Sequence, residues 1–330
     1  MVHADTSGRT HKPLVVITDE RHGRVTEEEA VFGPLGAELR VAFCSSSEDV
    51  AAACADADAV LVNLAPVDAK AIAAMTRCKA ICRYGVGMDN VDQEAAAAKG
   101  ISVLPVRGYC DEEVAGHALA LMMALARGLA GRDRAVKNGG WNLDGPQSSP
   151  AGAVIGVAGF GGTGRAFARM ALALAPERVL VWSPHLDPAR VDRELGAAAA
   201  ALGTPIQAAG LDELAASSDF LSVHLALSEE TRGLFGRRVL ELMKRGAFLV
   251  NTSRGGLIDE AALLAALDSG HLAGAGLDVF SREPPGPGHV LAAHPKVIAS
   301  DHCAYRSTRS LSELKTSCAL NAARALGLAT

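Results

Sequence analysis

The stretch ASDHCAYRST, residues 299–308, sets His302 between Asp301 and Cys303. A histidine there has four roles open to it: metal ligand, partner of a nucleophile, general acid, or buried ring without chemistry. Geometry argues against the first. In extended backbone these three consecutive side chains point to alternate faces and cannot close one tetrahedral site. No CxxC pair occurs, and Cys78 and Cys82 read as core thiols, so no metal is expected. His117, in an apolar helix, and His224, on a strand, read as structural rather than catalytic.

A second chemical feature is IGVAGFGGTGRAFARMALAL, residues 155–174, which spaces Gly159, Gly161 and Gly164 as GxGxxG. Gly159 permits a tight turn, Gly161 lets the backbone approach a pyrophosphate, and Gly164 lets a helix pack closely on a strand. Free amides at the helix start then face phosphate oxygens. The spacing alone is a weak signal. An apolar strand before it, a helix after it and another strand at 178–183 make it a dinucleotide site. In such sites an acid about 20 residues on receives the ribose 2′-hydroxyl. Here Ser183 stands 183 − 164 = 19 residues past the last glycine, with His185 and Arg190 beyond it. Serine does not repel a 2′-phosphate, so NAD and NADP are both open as the cofactor.

Alternating strands and helices must position these groups. Short apolar runs at 13–18, 39–44, 59–64, 80–85 and 101–106 read as strands covered on both faces. A second set lies at 153–160, 178–183, 219–227, 247–253, 274–280 and 296–300. Such alternation implies parallel, doubly wound sheets of the α/β class. Residues 91–100 read as an alanine-rich helix ending at Gly100, and 307–328 as a helix closing the chain. Residues 111–130 read as one long helix, acidic at its start and apolar all round in its middle, so it should be buried on several sides. A turn-rich connector follows at 138–152.

Composition narrows the partners. With 330 residues the chain can hold two domains with large cores. Its 49% hydrophobic and 21% charged residues read as soluble and globular. A net charge of −5 without a basic cluster argues against nucleic acid. The nine-residue apolar run at 118–126 is far short of the roughly 20 that span a bilayer, so no membrane partner is expected. The polar amino end lacks a signal-peptide core, and seven scattered cysteines fit free thiols, so a cytoplasmic setting is expected.

RYGVGMDNVD (83–92), the glycine loop, LVNTSRGGLIDEAALLAAL (249–267), GAGLDVFSREPP (274–285) and the late His302 occur in one order. Together, over residues 13–328, they resemble the D-isomer-specific 2-hydroxyacid dehydrogenases, the superfamily of phosphoglycerate dehydrogenase. RGYCDEEVAGHALALMMALAR (107–127) and DHCAYRST look closest to the C-terminal-binding-protein-like branch. The resemblance implies a Rossmann cofactor domain, 111–300, inserted into a flavodoxin-like substrate domain made of 1–110 and 301–330. It also implies a homodimer and a small anionic substrate. Arg254 matches the substrate-binding arginine, whose fork suits the carboxylate and carbonyl oxygen of a 2-oxo acid. His302 matches the catalytic acid/base and Glu283 the carboxylate that orients it. Val86 and Gly87 would offer backbone amides to the substrate carboxylate. Asp278 would hold the nicotinamide carboxamide. Phe160, Gly162, Thr163, His224 and Thr252 join the three glycines and Ser183 around the cofactor.

Three positions depart from the family pattern. Asp301 and Ala226 stand where proline is usual, and Ser183 where an acid is. Two other functions share the same residues: a dinucleotide-sensing binding protein, and a dehydrogenase of a related anion such as a phosphonate. The intact set Arg254, Glu283 and His302 favours the 2-hydroxyacid enzyme.

Overall fold

The computed structural model describes residues 11–21, 23–142, 144–145 and 147–329. Contacts divide the chain into two units, Met1–Tyr109 with Ser307–Thr330, and Cys110–Arg306. The first contains β1 (Leu14–Ile17), α1 (Thr26–Phe32), β2 (Glu38–Val41), α2 (Ser47–Cys54), β3 (Ala59–Val62), α3 (Ala69–Ala74), β4 (Ala80–Arg83), α4 (Gln93–Ala98) and β5 (Ser102–Pro105). All pairings are parallel, in the order β2-β1-β3-β4-β5. That is the flavodoxin-like doubly wound order, which reverses direction between β1 and β3. LVVI and AVLV are apolar at every position because β1 and β3 are buried along their whole length. At the reversal, the buried Asp19 carboxylate accepts from the amides of Asn63, Leu64 and Ala65 and so holds the loop after β3. Side chains of Ser46, Asp68 and Asp92 cap α2, α3 and α4, satisfying amides that a helix start leaves open.

The second unit contains α5 (Asp111–Ala126), α6 (Leu129–Lys137), β6 (Val154–Ala158), α7 (Gly162–Leu172), β7 (Arg178–Trp182), α8 (Pro188–Val191), α9 (Ala197–Leu202), β8 (Ile206–Ala208), α10 (Leu211–Ser217), β9 (Phe220–Val223), α11 (Arg237–Leu242), β10 (Ala247–Asn251), α12 (Glu260–Asp268), β11 (Leu272–Leu277) and β12 (Val297–Ala299). A wide π-helical turn, Asp192–Gly196, joins α8 to α9. The sheet order is β12-β11-β10-β9-β6-β7-β8, again all parallel. This is the Rossmann order with one added strand, and its switch point lies between β6 and β9. One core cluster joins α10, α11 and α12 to the sheet; another joins α5 and α7 to it.

Three sequence expectations change. The helix expected over 111–130 ends at Ala126, and α6 starts at Leu129, because Gly128 takes a left-handed φ of 58° between them. The short β8 was not expected; three residues are too few for a period-2 pattern to show. The return to the first unit comes at Ser307 rather than at 301, since the start of that segment is tied to Asp278 of the second unit. Among the described residues no single helix is long and apolar enough to cross a membrane.

The tail returns as α13 (Thr308–Ala325), packed on α1 and β4. It carries Lys315, 3% exposed, into a nest of acids. The ammonium donates to Glu27 at 2.8 Å and to the Arg24 carbonyl, and lies 3.4 Å from Glu28. Tyr84 donates to the other Glu28 oxygen at 2.7 Å. The hydrogen bond from Lys315 holds the Glu27 carboxyl below its ordinary range, whereas burial pushes Glu28 up. Removing the cation should leave the buried Glu28 and the half-buried Glu27 uncompensated. Lys315→Met is expected to destabilise the fold by about 3 kcal/mol in urea denaturation. Adding Glu28→Gln in that background should restore part of the loss; a double variant no more stable than Lys315→Met would show that the charge pair is not the cause.

Candidate active site

The glycine loop sits where β6 meets β9. Gly159 adopts φ 115°, and its amide donates to the Trp182 carbonyl at the end of β7, 2.6 Å away. A Cβ on Gly159 would lie 2.3 Å from the His224 carbonyl oxygen, and one on Gly164 would lie 2.0 Å from the Gly159 carbonyl oxygen. Neither position tolerates a side chain, so the loop stays pressed against the switch point. At Gly161 nothing lies within 4 Å of where a Cβ would be, which leaves the start of α7 open to a ligand. The Asp111 carboxylate occupies the side-chain space of Gly162 and accepts from the Thr163 hydroxyl at 3.0 Å. Phe160 turns its ring into the core, 2% exposed.

His224 and Thr252 follow β9 and β10. His224 Nε2 lies 2.9 Å from the Ser222 hydroxyl, and its ring lies 4.9 Å from that of Phe167. Its Nδ1 and the Thr252 hydroxyl are buried without a protein partner among the described residues. Buried polar atoms are seldom left so, and these two follow the two strands next along the sheet from the glycine loop. The cradle at Gly161 and the two orphaned atoms therefore fit a dinucleotide.

The proton-transfer candidates are in the same unit. His302 Nδ1 lies 2.6 Å from Glu283 Oε2, and the other Glu283 oxygen accepts from the Phe280 amide at 3.0 Å. Burial, the largest influence, raises the Glu283 pKa, but the His302 hydrogen bond and charge, the Phe280 amide and the Arg254 charge outweigh it, so the net shift is downward. Arg254 follows β10; Asn251 accepts from the Ser253 amide and donates to the Arg254 carbonyl, which fixes the turn. His302 has a left-handed φ of 53°. Its amide donates to the Asp278 carbonyl. Asp278, 1% exposed, accepts from the Ser300 hydroxyl at 2.5 Å and from the Cys303 and Ala304 amides, both at 3.0 Å. That carboxylate therefore builds the turn that presents His302.

Sequence reasoning missed several neighbours. His117 lies 2.9 Å from the Ser300 hydroxyl, and the Tyr305 ring stands edge-on to His302 at 6.5 Å. Tyr305 is three residues past His302, a signal the sequence did hold; the contact from His117 spans 183 positions and left none. His117, Asp278 and Cys303 bring ligand atoms within 4.8 Å of one another, but the carboxylate is already taken up by the turn. Val86 and Gly87 lie in the first unit, in the loop after β4, with Val86 44% exposed.

A doubly wound parallel sheet with a glycine-rich turn at its switch point defines a dinucleotide-binding protein. A family model described as D-isomer specific 2-hydroxyacid dehydrogenase, NAD binding domain, matches residues 119–304, and the chain belongs to that family. D-3-phosphoglycerate dehydrogenase of Mycobacterium tuberculosis is 37% identical over 276 residues, covering 82% of this chain and 49% of that protein. The chain thus spans about half the length of the phosphoglycerate dehydrogenases it matches. Glycerate dehydrogenase of Methylorubrum extorquens is 34% identical over 264 residues, covering 77% of this chain and 78% of that one. A crystal structure of a protein from Thermus thermophilus superposes with a TM-score of 0.83 at 30% identity, covering 95% of this chain and 97% of its own.

Burial holds His224 neutral, with its pKa lowered from 6.5 to about 3. The unfolded chain binds that proton below pH 6.5 while the folded one does not, so stability should fall as pH drops from 6.5 towards 3. The loss approaches about 1.4 kcal/mol per pH unit from this residue. His224→Phe should flatten the dependence in urea titrations at about pH 7, 6 and 5; an unchanged slope would assign it to other groups.

Proposed function

We propose that the chain is a nicotinamide-dependent oxidoreductase interconverting a 2-oxo acid and its D-2-hydroxy acid. The observation that carries this reading is the 2.6 Å contact between His302 and Glu283, with the Arg254 charge acting on the same carboxylate, in the unit that holds the glycine loop. The bound nicotinamide supplies or accepts the hydride. Glu283 holds Nδ1 of His302 and leaves Nε2 to give a proton to the oxygen becoming a hydroxyl, or to take it back. Asp278 keeps the ring on its turn. Arg254 binds the anionic end of the substrate and offsets charge developing on the carbonyl oxygen. The names of the relatives differ in substrate, phosphoglycerate in one and glycerate in another, which supports the 2-hydroxy acid class rather than one member of it.

The reading includes a homodimer and a reducing, cytoplasmic setting. Seven cysteines, all free, support the second. The first is supported by α6, which has no buried residue, with Leu129 and Val136 exposed on it and Trp141 exposed just after it.

The test is an absorbance assay at the nicotinamide band, with NADH and NADPH against 2-oxo acids and, for the oxidative direction, with NAD+ and NADP+ against phosphonates. His302→Gln should lower kcat by about 10²–10⁴-fold while dinucleotide affinity stays within twofold. Turnover equal to that of the unaltered protein would remove His302 from proton transfer. Arg254→Met should raise KM and lower kcat together, because the guanidinium acts on both substrate and developing charge.

A further inference from the structure

The end of β7 lies beside the glycine turn. The Gly159–Trp182 hydrogen bond ties the glycine turn to the last residue of that strand, so Ser183 is the next group along from the dinucleotide loop. Ser183–Leu186 is a turn closed by the Leu186 amide on the Ser183 carbonyl at 3.2 Å. Pro184 holds its second position, and His185, with φ 57°, its third. This is the pattern of a type II turn, where glycine or asparagine would be ordinary. It leaves the His185 side chain 87% exposed.

Three donors on this segment are unspent. The Ser183 hydroxyl makes no hydrogen bond among the described residues. Arg190 sits with its guanidinium carbon 5.7 Å from the ring centroid of Phe160, inside the glycine loop. Its Nε donates to Glu194 at 2.6 Å, and its two terminal amino groups have no partner among the described residues. The other Glu194 oxygen lies 2.9 Å from Arg165, so two guanidiniums share one carboxylate and one positive charge is left over. His185 Nε2 lies 3.7 Å from Glu230, a solvent-exposed pair of little strength. The nearest acid in the chain, Asp187, is turned to other work. It caps α8 through the Ala189 amide and pairs with Arg193 at 2.8 Å.

Resting on the oxidoreductase reading above, we propose that Ser183, His185 and Arg190 form a subsite for the 2′-phosphate of the adenosine ribose, so that this chain binds NADP(H) at least as tightly as NAD(H). A phosphate monoester carries about −1.5 to −2 charge at pH 7 and three acceptor oxygens. A carboxylate at position 183 would repel it and take the free 2′-hydroxyl of NAD instead. A hydroxyl there, a guanidinium with free amino groups and an exposed imidazole do the reverse.

The test is equilibrium binding of NADP+ and of NAD+, followed by quenching of tryptophan emission and by calorimetry. Trp182 adjoins the subsite, and Trp141 is the other tryptophan. The unaltered protein should give a Kd for NADP+ no larger than that for NAD+. Ser183→Asp should weaken NADP+ by about 10–100-fold and leave NAD+ within threefold, and Arg190→Met should weaken NADP+ alone by about tenfold. Tighter NAD+ binding by the unaltered protein, or variants that shift both nucleotides alike, would overturn the subsite and leave the oxidoreductase reading standing. Binding of neither nucleotide would overturn both.

Discussion

The Asp278 carboxylate is buried at the end of β11, where an unpartnered charge would be costly. It is satisfied by a hydroxyl and two amides, all from the segment that follows β12. Its own carbonyl takes the His302 amide. Four hydrogen bonds thus bind one residue to one short turn. Within that turn His302 is held in a left-handed conformation, which costs of order 1–3 kcal/mol and persists only where the surroundings over-determine it. Glu283 then fixes the ring by its Nδ1. The placement of the imidazole follows from satisfying one desolvated acid.

Parallel strands make the rest of the second unit follow the same logic. Their carboxyl ends all lie on one edge, so residues that follow adjacent strands are neighbours however far apart they are in sequence. The glycine turn, Ser183, His224, Thr252 and Asp278 directly follow β6, β7, β9, β10 and β11, and His302 stands three residues past β12. The first unit uses the device in miniature: Asp19 after β1 holds the loop after β3.

Much of this was legible in the sequence, for reasons that differ by residue. The strands of both sheets showed because double burial forces apolar runs. The glycine loop showed because close backbone contact admits no side chain at Gly159 and Gly164, which makes spacing and chemistry the same fact. Glu283 did not show by itself: an acid before two prolines is an ordinary turn residue, and only the resemblance singled it out. The break at Gly128 was hidden because an apolar pattern runs through it while one backbone angle ends the helix. Asp111 against Gly162, and His117 against Ser300, were hidden because a hydrogen bond between distant segments imposes no local period.

The wide turn at Asp192–Gly196 has a geometric consequence. Val191, Leu195 and Ala199 are spaced by four and are all buried in one core cluster. In a regular helix each step of four overshoots a full turn by roughly 40°, so three such residues would spiral away from a flat wall. A local widening takes that drift back and keeps all three against the sheet. Glu194, one residue before Leu195, is left on the flank of that row, between Arg165 and Arg190. One extra residue per coil lets a short rod keep a dry side and a wet side in line over its whole length.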